Sequence, residues 1–154
     1  MDLNIKDLRI VSPAFSPLDR IPKQYTGEGE NISPPLEWSG LPPGTQELAL
    51  ICDDPDAPIP RGFTHWVIYG IPPAVSQLPL SGGSKFTEGI NSSGKPGYIG
   101  PMPPEGHGPH YYYFWLYALD IELHLKPGLT REQLLDAIAD HVIEQARLVG
   151  VYQR

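Results

Sequence analysis

Runs of apolar residues predict that strands dominate this chain. In residues 46–53 apolar side chains fill both odd and even positions, which is typical of a strand buried on both faces in the middle of a sheet. A second strand is predicted at 63–71, where two prolines stop it, and a third at 110–121, an aromatic run of high β-propensity. Shorter extended pieces are expected at 8–11 and 21–25.

One amphipathic helix is predicted near the C-terminus. Thr130 is placed to cap it, and Gln133 three residues later completes a capping box. Gly150 is expected to end the helix, and residues 151–152 are expected to add a short strand. The apolar residues that recur at helical spacing, and so form the expected buried stripe, are Leu134, Leu135, Ile138, Val142, Ala146 and Val149.

Several strands followed by one helix indicate a mainly β protein. We expect an antiparallel β-sandwich of two sheets, with the amphipathic helix packed outside it, formed by residues 1–154 as a single domain. Residues 1–45 are predicted to be loop-rich and 74–109 mostly irregular. The 19 prolines and 16 glycines fit long, stiff loops, while 40 % hydrophobic residues is too many for a disordered chain.

The charge and the single cysteine restrict the function further. A formal net charge of −7 with scattered Lys and Arg argues against nucleic acid as a partner, so an anion site would need a local set of donors. No apolar run approaches the length that spans a bilayer, and the first seven residues do not resemble a signal peptide. Because Cys52 has no second cysteine to pair with, we expect a cytoplasmic protein.

Polar side chains fall at the ends of the three predicted strands. Asp54 ends the first strand, His65 lies near the start of the second, and His110 and Tyr112 open the third on one face. If these strands are neighbours, the four groups meet at one rim of the sheet, with the proline-rich loops 54–60 and 98–109 as walls. Such a rim suits a small anion, because a histidine beside a carboxylate is favoured in its protonated form and then donates strongly.

Asp56 lies two residues beyond Asp54, in the same loop. The two carboxylates repel an anion, so we expect them to orient the histidines, to accept backbone N–H groups, or to hold a proton shared with a phosphate ester.

Four ordered blocks resemble the phosphatidylethanolamine-binding protein family, which includes Raf kinase inhibitor-like proteins and short bacterial and archaeal members. They extend over nearly the whole chain. The blocks are Asn31-Ile32-Ser33-Pro34-Pro35-Leu36 followed by Trp38; Asp54-Pro55-Asp56-Ala57-Pro58 with His65-Trp66-Val67; Gly100-Pro101-Met102-Pro103-Pro104 leading to His110 and Tyr112; and Leu116-Tyr117-Ala118-Leu119-Asp120.

The resemblance implies a two-sheet sandwich with a small anion-binding pocket and no cofactor. Family pockets accept phosphate, acetate, cacodylate or phosphorylated head groups, and several microbial members are homodimers. A kinase or other protein partner is implied as well. The pocket residues carried over onto this chain are Asp54, His65, Gly100 and His110, with Asp56 and Tyr112 as support.

One position departs from the family. Eukaryotic members usually have Arg after the second histidine, whereas this chain has Tyr111, and Arg61 in a differing loop is a candidate to restore the charge.

The same residues allow other interpretations. His107, His110, His65 and Asp54 could together form a metal site, which would make the protein a hydrolase or metal-dependent enzyme. Cys52 could be a nucleophile, although its apolar strand favours an inert buried thiol. Asp54 and Asp56 could act as an acid–base pair, and residues 111–115 could stack on nucleic acid. We favour a binding protein with no catalytic residue over these alternatives.

Overall fold

Residues 5–154 are described here by a computed structural model. Met1–Asn4, part of the stretch considered above for a targeting signal, lies outside the described residues. The strands are β1 (Arg9–Val11), β2 (Leu36–Ser39), β3 (Glu47–Asp54), β4 (Phe63–Ile71), β5 (Gln77–Leu78), β6 (Thr87–Glu88), β7 (His110–Leu119) and β8 (Val142–Tyr152), and the helix is α1 (Arg131–Ile138). Lys23–Tyr25 and Gly83–Lys85 form short 3-10 helices.

The strands form two antiparallel sheets. One has three strands in the order β1-β2-β5, and the other has five in the order β6-β4-β3-β7-β8. This confirms the mainly β architecture of two sheets with one helix near the C-terminus. Within residues 5–154 no helix is long and apolar enough to cross a membrane.

Strand β3 is central, as its two-sided apolar pattern predicts. Leu48, Leu50 and Cys52 point into the core between the two sheets. Ala49 and Ile51 point the other way, into a second core that α1 covers with Leu134 and Ile138. The helix is also tied to this strand by an ion pair of 3.1 Å between Arg131 Nε and Asp53 Oδ2.

The secondary structure before β3 differs from the prediction in two places. Residues 21–25 were expected to be extended, and this is wrong, since Lys23–Tyr25 is a 3-10 helix. Strand β2 was missed, although its Trp38 indole donates to Val75 O over 2.8 Å and its pairing with β1 and β5 builds the smaller sheet. Strands this short carry almost no periodic signal.

The helix starts where the sequence places it. Thr130 Oγ1 accepts the Gln133 N–H over 3.2 Å, and Gln133 Oε1 accepts the Thr130 N–H over 3.0 Å. This reciprocal capping box satisfies two backbone donors and is worth on the order of 1 kcal/mol.

The predicted extent of the helix is wrong. The helix ends at Ile138, and residues 142–152 form β8, which pairs along the whole of β7. The expected stripe through Val142, Ala146 and Val149 gives way to a strand alternation. Residues 144, 148, 150 and 152 are buried, whereas Val149 is only half-buried. Pairing with β7 satisfies a full edge of backbone groups that a longer helix would have left open.

Gly150 does not stop a helix either. It lies within β8 at a point where a Cβ atom would come within 2.6 Å of Ile21 Cγ1 and 2.9 Å of Phe15 Cε2. Glycine is therefore required by close packing of the N-terminal segment on this strand.

Candidate ligand-binding pocket

The ends of β3, β4 and β7 meet at one edge of the larger sheet. The register places Asp54 opposite Phe63 and Asp53 opposite Tyr113, so the polar residues at these strand ends are neighbours. They border a cavity of about 260 Å³. Of the six residues proposed from the sequence, five line this cavity: Asp54, His65, Gly100, His110 and Tyr112.

The rest of the cavity wall is apolar. It comes from both proline-rich loops, as the sequence predicts, and from the strand end at Phe63. These lining residues, which the sequence did not single out individually as ligand contacts, are Ala57, Pro58, Ile59, Phe63, Ile99, Met102, Pro103 and Pro104. Among the lining residues there is no Lys or Arg, and Arg61 is not one of them.

Asp54 and His110 form a buried pair. Oδ2 of Asp54 lies 2.6 Å from Nδ1 of His110, and its Oδ1 accepts the Asp56 N–H over 2.8 Å. The pKa of Asp54 is raised overall, because the effect of burial outweighs the opposing bonds from His110 and the Asp56 N–H. An ionised carboxylate only accepts, so the Nδ1 proton belongs to His110 and its Nε2 is left to face another group.

His107 occupies that other nitrogen. Its Nδ1 lies 2.6 Å from His110 Nε2, with the ring centroids 4.8 Å apart. His107 was considered from the sequence only as a metal ligand. Its place in this chain of three side chains has no signal in the sequence, because it depends on how the loop before β7 folds back.

His65 is held in one tautomer. Its Nδ1 donates to Ile99 O over 2.7 Å, and only 5 % of the residue is exposed. Burial lowers the pKa of His65 to about 4, with the nearby His110 adding to the effect and the Ile99 bond opposing it. Of the two rim histidines, one of which was expected to donate in its protonated form, His65 is therefore neutral at neutral pH. Its Nε2 carries a lone pair and accepts.

Tyr112 contributes a hydroxyl group to the floor of the cavity, the part lined by His65 and Tyr112. Burial and the Asp54 charge raise its pKa, so the phenol stays protonated. Neither its oxygen nor His65 Nε2 has a hydrogen-bond partner among residues 5–154. Within residues 5–154, Glu47 Oε2 is the one side-chain atom that is both inaccessible to solvent and without a partner. His65 Nε2 and the Tyr112 oxygen are therefore accessible, and both residues line the cavity.

Gly100 and Asp56 have supporting positions. The Gly100 N–H donates to Asn31 Oδ1 over 2.6 Å, and a Cβ at this residue would come within 2.4 Å of Tyr25 O. Asp56 lies outside the lining. Its N–H bonds Asp54, and its Oδ2 accepts the Tyr111 N–H over 3.0 Å, which joins the loop to the start of β7.

Two of the alternative chemistries find no support in the geometry. In the part of the chain from residue 5 onward, no group of three or more His, Cys, Asp or Glu side chains is arranged to hold a metal ion. Cys52 is buried, and burial together with the Asp53 and Asp54 charges raises the pKa of its thiol. A thiol in that setting is a poor nucleophile.

The fold is a two-sheet β-sandwich with a cavity at one edge of the larger sheet. The model of the family described as phosphatidylethanolamine-binding protein matches residues 11–153. The chain belongs to the phosphatidylethanolamine-binding protein family.

Its relatives span archaea and bacteria. A UPF0098 protein of Methanothermobacter thermautotrophicus is 48 % identical over 155 residues, which cover 96 % of this chain and 99 % of that protein. A UPF0098 protein of Aquifex aeolicus is 42 % identical, with 96 % and 89 % covered.

Two solved structures are similar in fold. A phosphatidylethanolamine-binding protein homolog from Chlamydia trachomatis superposes with a TM-score of 0.90 at 40 % identity, covering 98 % of this chain and 99 % of the other. Escherichia coli YbcL, described as a new member of the mammalian family, gives a TM-score of 0.91 at 30 % identity, with 97 % and 99 % covered.

Proposed function

We propose that this protein binds a small ligand through an acidic group that still carries one proton, such as a phosphate monoester. The observation that carries the proposal is the pair of unpartnered polar atoms on the cavity floor, His65 Nε2 and the Tyr112 hydroxyl. Both atoms open onto the cavity, so a ligand there can hydrogen-bond to them directly in place of water.

The protonation state follows from what these atoms offer. Neutral His65 accepts a hydrogen bond, whereas Tyr112 donates one. No Lys or Arg lines the cavity, and Asp54 adds a carboxylate to its wall. A fully ionised phosphate therefore finds no Lys or Arg in the cavity wall, and it has no proton to donate to His65. A singly protonated phosphate can donate to His65 and accept from Tyr112.

The apolar walls select the rest of the ligand. Phe63, Ile59 and Met102 belong to a wall that offers no polar side chain to a substituent. Drug-sized ligands fill cavities of roughly 300–1,000 Å³. The 260 Å³ available here suits a short substituent such as one aromatic ring.

Isothermal titration calorimetry with phenyl phosphate and phenyl sulfate tests the proposal. The two probes match in size and in apolar group, but the sulfate ester has no proton to donate in the pH range used. We expect phenyl phosphate to bind at pH 6 and phenyl sulfate to bind much more weakly. Affinity for phenyl phosphate should fall by pH 8, because its second ionisation lies near pH ~6. Equal binding of both esters, or no binding of either, would contradict the proposal.

The wider functions stay predictions that rest on the family. Modulation of a kinase or other protein partner, a homodimer and a cytoplasmic location are among them. So is the expectation that the protein binds its ligand without catalysing a reaction.

A further inference from the structure

A separate cavity, here called the Trp66 cavity, lies beside the segment that forms one wall of the ligand pocket. It measures about 170 Å³ and is lined by Tyr98, whereas the next two residues, Ile99 and Gly100, line the ligand pocket. Asn31 joins the two, because it lines the Trp66 cavity and its Oδ1 accepts the Gly100 N–H over 2.6 Å. Within residues 5–154 no residue lines both cavities, so they are distinct.

The indole N–H of Trp66 opens into this cavity. Only 1 % of Trp66 is exposed and its Nε1 has no hydrogen-bond partner among residues 5–154, yet that atom is not sealed from solvent. Gly83 lines the cavity next to this edge of the ring, since a Cβ there would come within 2.5 Å of Trp66 Cζ2 and 3.1 Å of Nε1. The indole is therefore a buried donor that needs an acceptor from inside the cavity.

Ser33 adds a second buried group without a partner. The residue is 4 % exposed and lines the cavity, and its hydroxyl makes no hydrogen bond within the described chain while it stays accessible. Ser81 and Ser84 line the same cavity, and their hydroxyls have no hydrogen bond to residues 5–154 either. Since a hydroxyl both donates and accepts, the cavity offers a ligand several adaptable partners beside the Trp66 donor.

The charge of the lining selects against ions of either sign. Glu88 contributes a carboxylate, and among the described residues that line the cavity there is no Lys or Arg, so an anion is repelled. A simple cation is also a poor fit, because the Trp66 N–H only donates and a cation has nothing to accept with. A neutral alcohol hydroxyl suits both groups, since it accepts from Trp66 and donates to Glu88.

We propose that the Trp66 cavity is a second binding site, and that it takes a small neutral polyol of the size of glycerol. A polar cavity is otherwise served by water, and polyol hydroxyls replace that water without loss of hydrogen bonds. At about 170 Å³ the cavity is too small for a drug-sized ligand. The site is independent of the function proposed above. It also gives a role to Asn31, Ser33 and Trp66, which belong to the sequence blocks described above but do not line the ligand pocket.

Titration with glycerol, followed by proton–nitrogen NMR of the indole N–H groups, tests the site. The chain has three tryptophans, and two of them are internal controls. Trp38 Nε1 donates to a backbone carbonyl over 2.8 Å, and the Trp115 side chain bonds Asp53. We expect the Trp66 signal, identified by its loss in Trp66→Phe, to shift saturably while the other two stay in place. Dimethoxyethane should act much more weakly, because it accepts hydrogen bonds but has no O–H to donate.

A pair of serine variants adds a second measurement. Ser33→Ala should weaken glycerol binding by about threefold to tenfold, the value of one ordinary hydrogen bond. Ser39→Ala is the matched control, because Ser39 is exposed at the end of β2 and lines neither cavity. It should leave the affinity unchanged. The comparison of glycerol with dimethoxyethane uses the wild-type protein and does not depend on either variant.

Several results would overturn the proposal. The absence of a shift, or an equal drift of all three indole signals, would show that the cavity holds only water. Equal effects of glycerol and dimethoxyethane would remove the need for a donor to Glu88. A saturable shift with ethylammonium chloride but not with glycerol would assign the cavity to a cation. Because phenyl phosphate is not used, failure here leaves the proposed function standing, and failure of that function leaves this site standing.

Discussion

Nδ1 of His110 lies 2.6 Å from Oδ2 of Asp54, and both side chains are almost completely buried at the edge of the larger sheet. The pair joins the end of β3 to the start of β7 and sets the tautomer of the histidine. This bond decides which nitrogen of a neutral His110 carries the proton, and therefore whether its Nε2 donates or accepts a hydrogen bond.

Replacing the carboxylate tests that dependence. In Asp54→Asn the amide NH₂ would face the His110 Nδ1–H, so we expect the proton to move to Nε2 and Nδ1 to accept instead. With a proton on Nε2, His110 would donate to His107 Nδ1. A loss of about 1–3 kcal/mol in the free energy of unfolding is expected from the weakened buried pair. Urea denaturation measures the stability and histidine-ring nitrogen NMR measures the tautomer. An unchanged Nδ1 proton would contradict the assignment.

His65 makes the stability depend on pH in a defined window. Its pKa is lowered to about 4 in the folded protein, against about 6.5 in an unfolded chain. The unfolded state therefore binds the proton first, and stability is lost as the pH falls from about 6.5 to about 4.

A variant isolates this contribution. The wild-type protein loses stability between pH 7 and pH 4 because its unfolded state gains a proton on His65, and His65→Gln does not. The free energy of unfolding of the variant minus that of the wild-type protein should therefore be about 3 kcal/mol larger at pH 4 than at pH 7. His141→Gln is the matched control, since His141 is half-buried on the other side of the fold and bonds Asp120. A difference that stays constant with pH would show that His65 is not the group that titrates.

Tyr112→Phe should weaken binding while leaving stability nearly unchanged. The hydroxyl has no partner in the described chain, so its removal breaks no bond in the free protein. With phenyl phosphate as the probe, the affinity should fall by about threefold to tenfold, because one donor to the ligand is lost. Calorimetric titration at pH 6 and a melting curve measure the two effects. A large loss of stability would instead assign the hydroxyl a structural role.

Neighbouring residues in β8 distinguish a strand from the helix that the sequence suggested. Leu148 is 2 % exposed on the inner face of β8, while Val149 is half-buried on the outer face. We expect Leu148→Ala to cost about 2–5 kcal/mol of unfolding free energy and Val149→Ala to cost less than about 1 kcal/mol. The helical stripe would bury Val149 instead and reverse the order. Urea denaturation of the two variants side by side decides the matter.

The sequence alone determined the local features whose physics acts over a few residues. The capping box at Thr130 and Gln133 is such a feature, because both bonds form within one turn of helix. The central position of β3 is another, since only a strand covered on both faces tolerates apolar residues at every position. The positions of His65, His110 and Tyr112 near the starts of β4 and β7 likewise placed them toward one edge of the sheet.

Tertiary structure decided the rest. Residues 142–152 carry apolar positions compatible with either a helix or a strand, and the open edge of β7, distant in sequence, selected the strand. The neutral state of His65 comes from the depth at which its ring is buried, and that depth depends on how distant loops pack over the end of β4. The contact of His107 with His110 depends on a glycine-flanked loop folding back beside the pocket. Residue types named the groups at the site, but only their three-dimensional packing fixed which of their atoms donate and which accept.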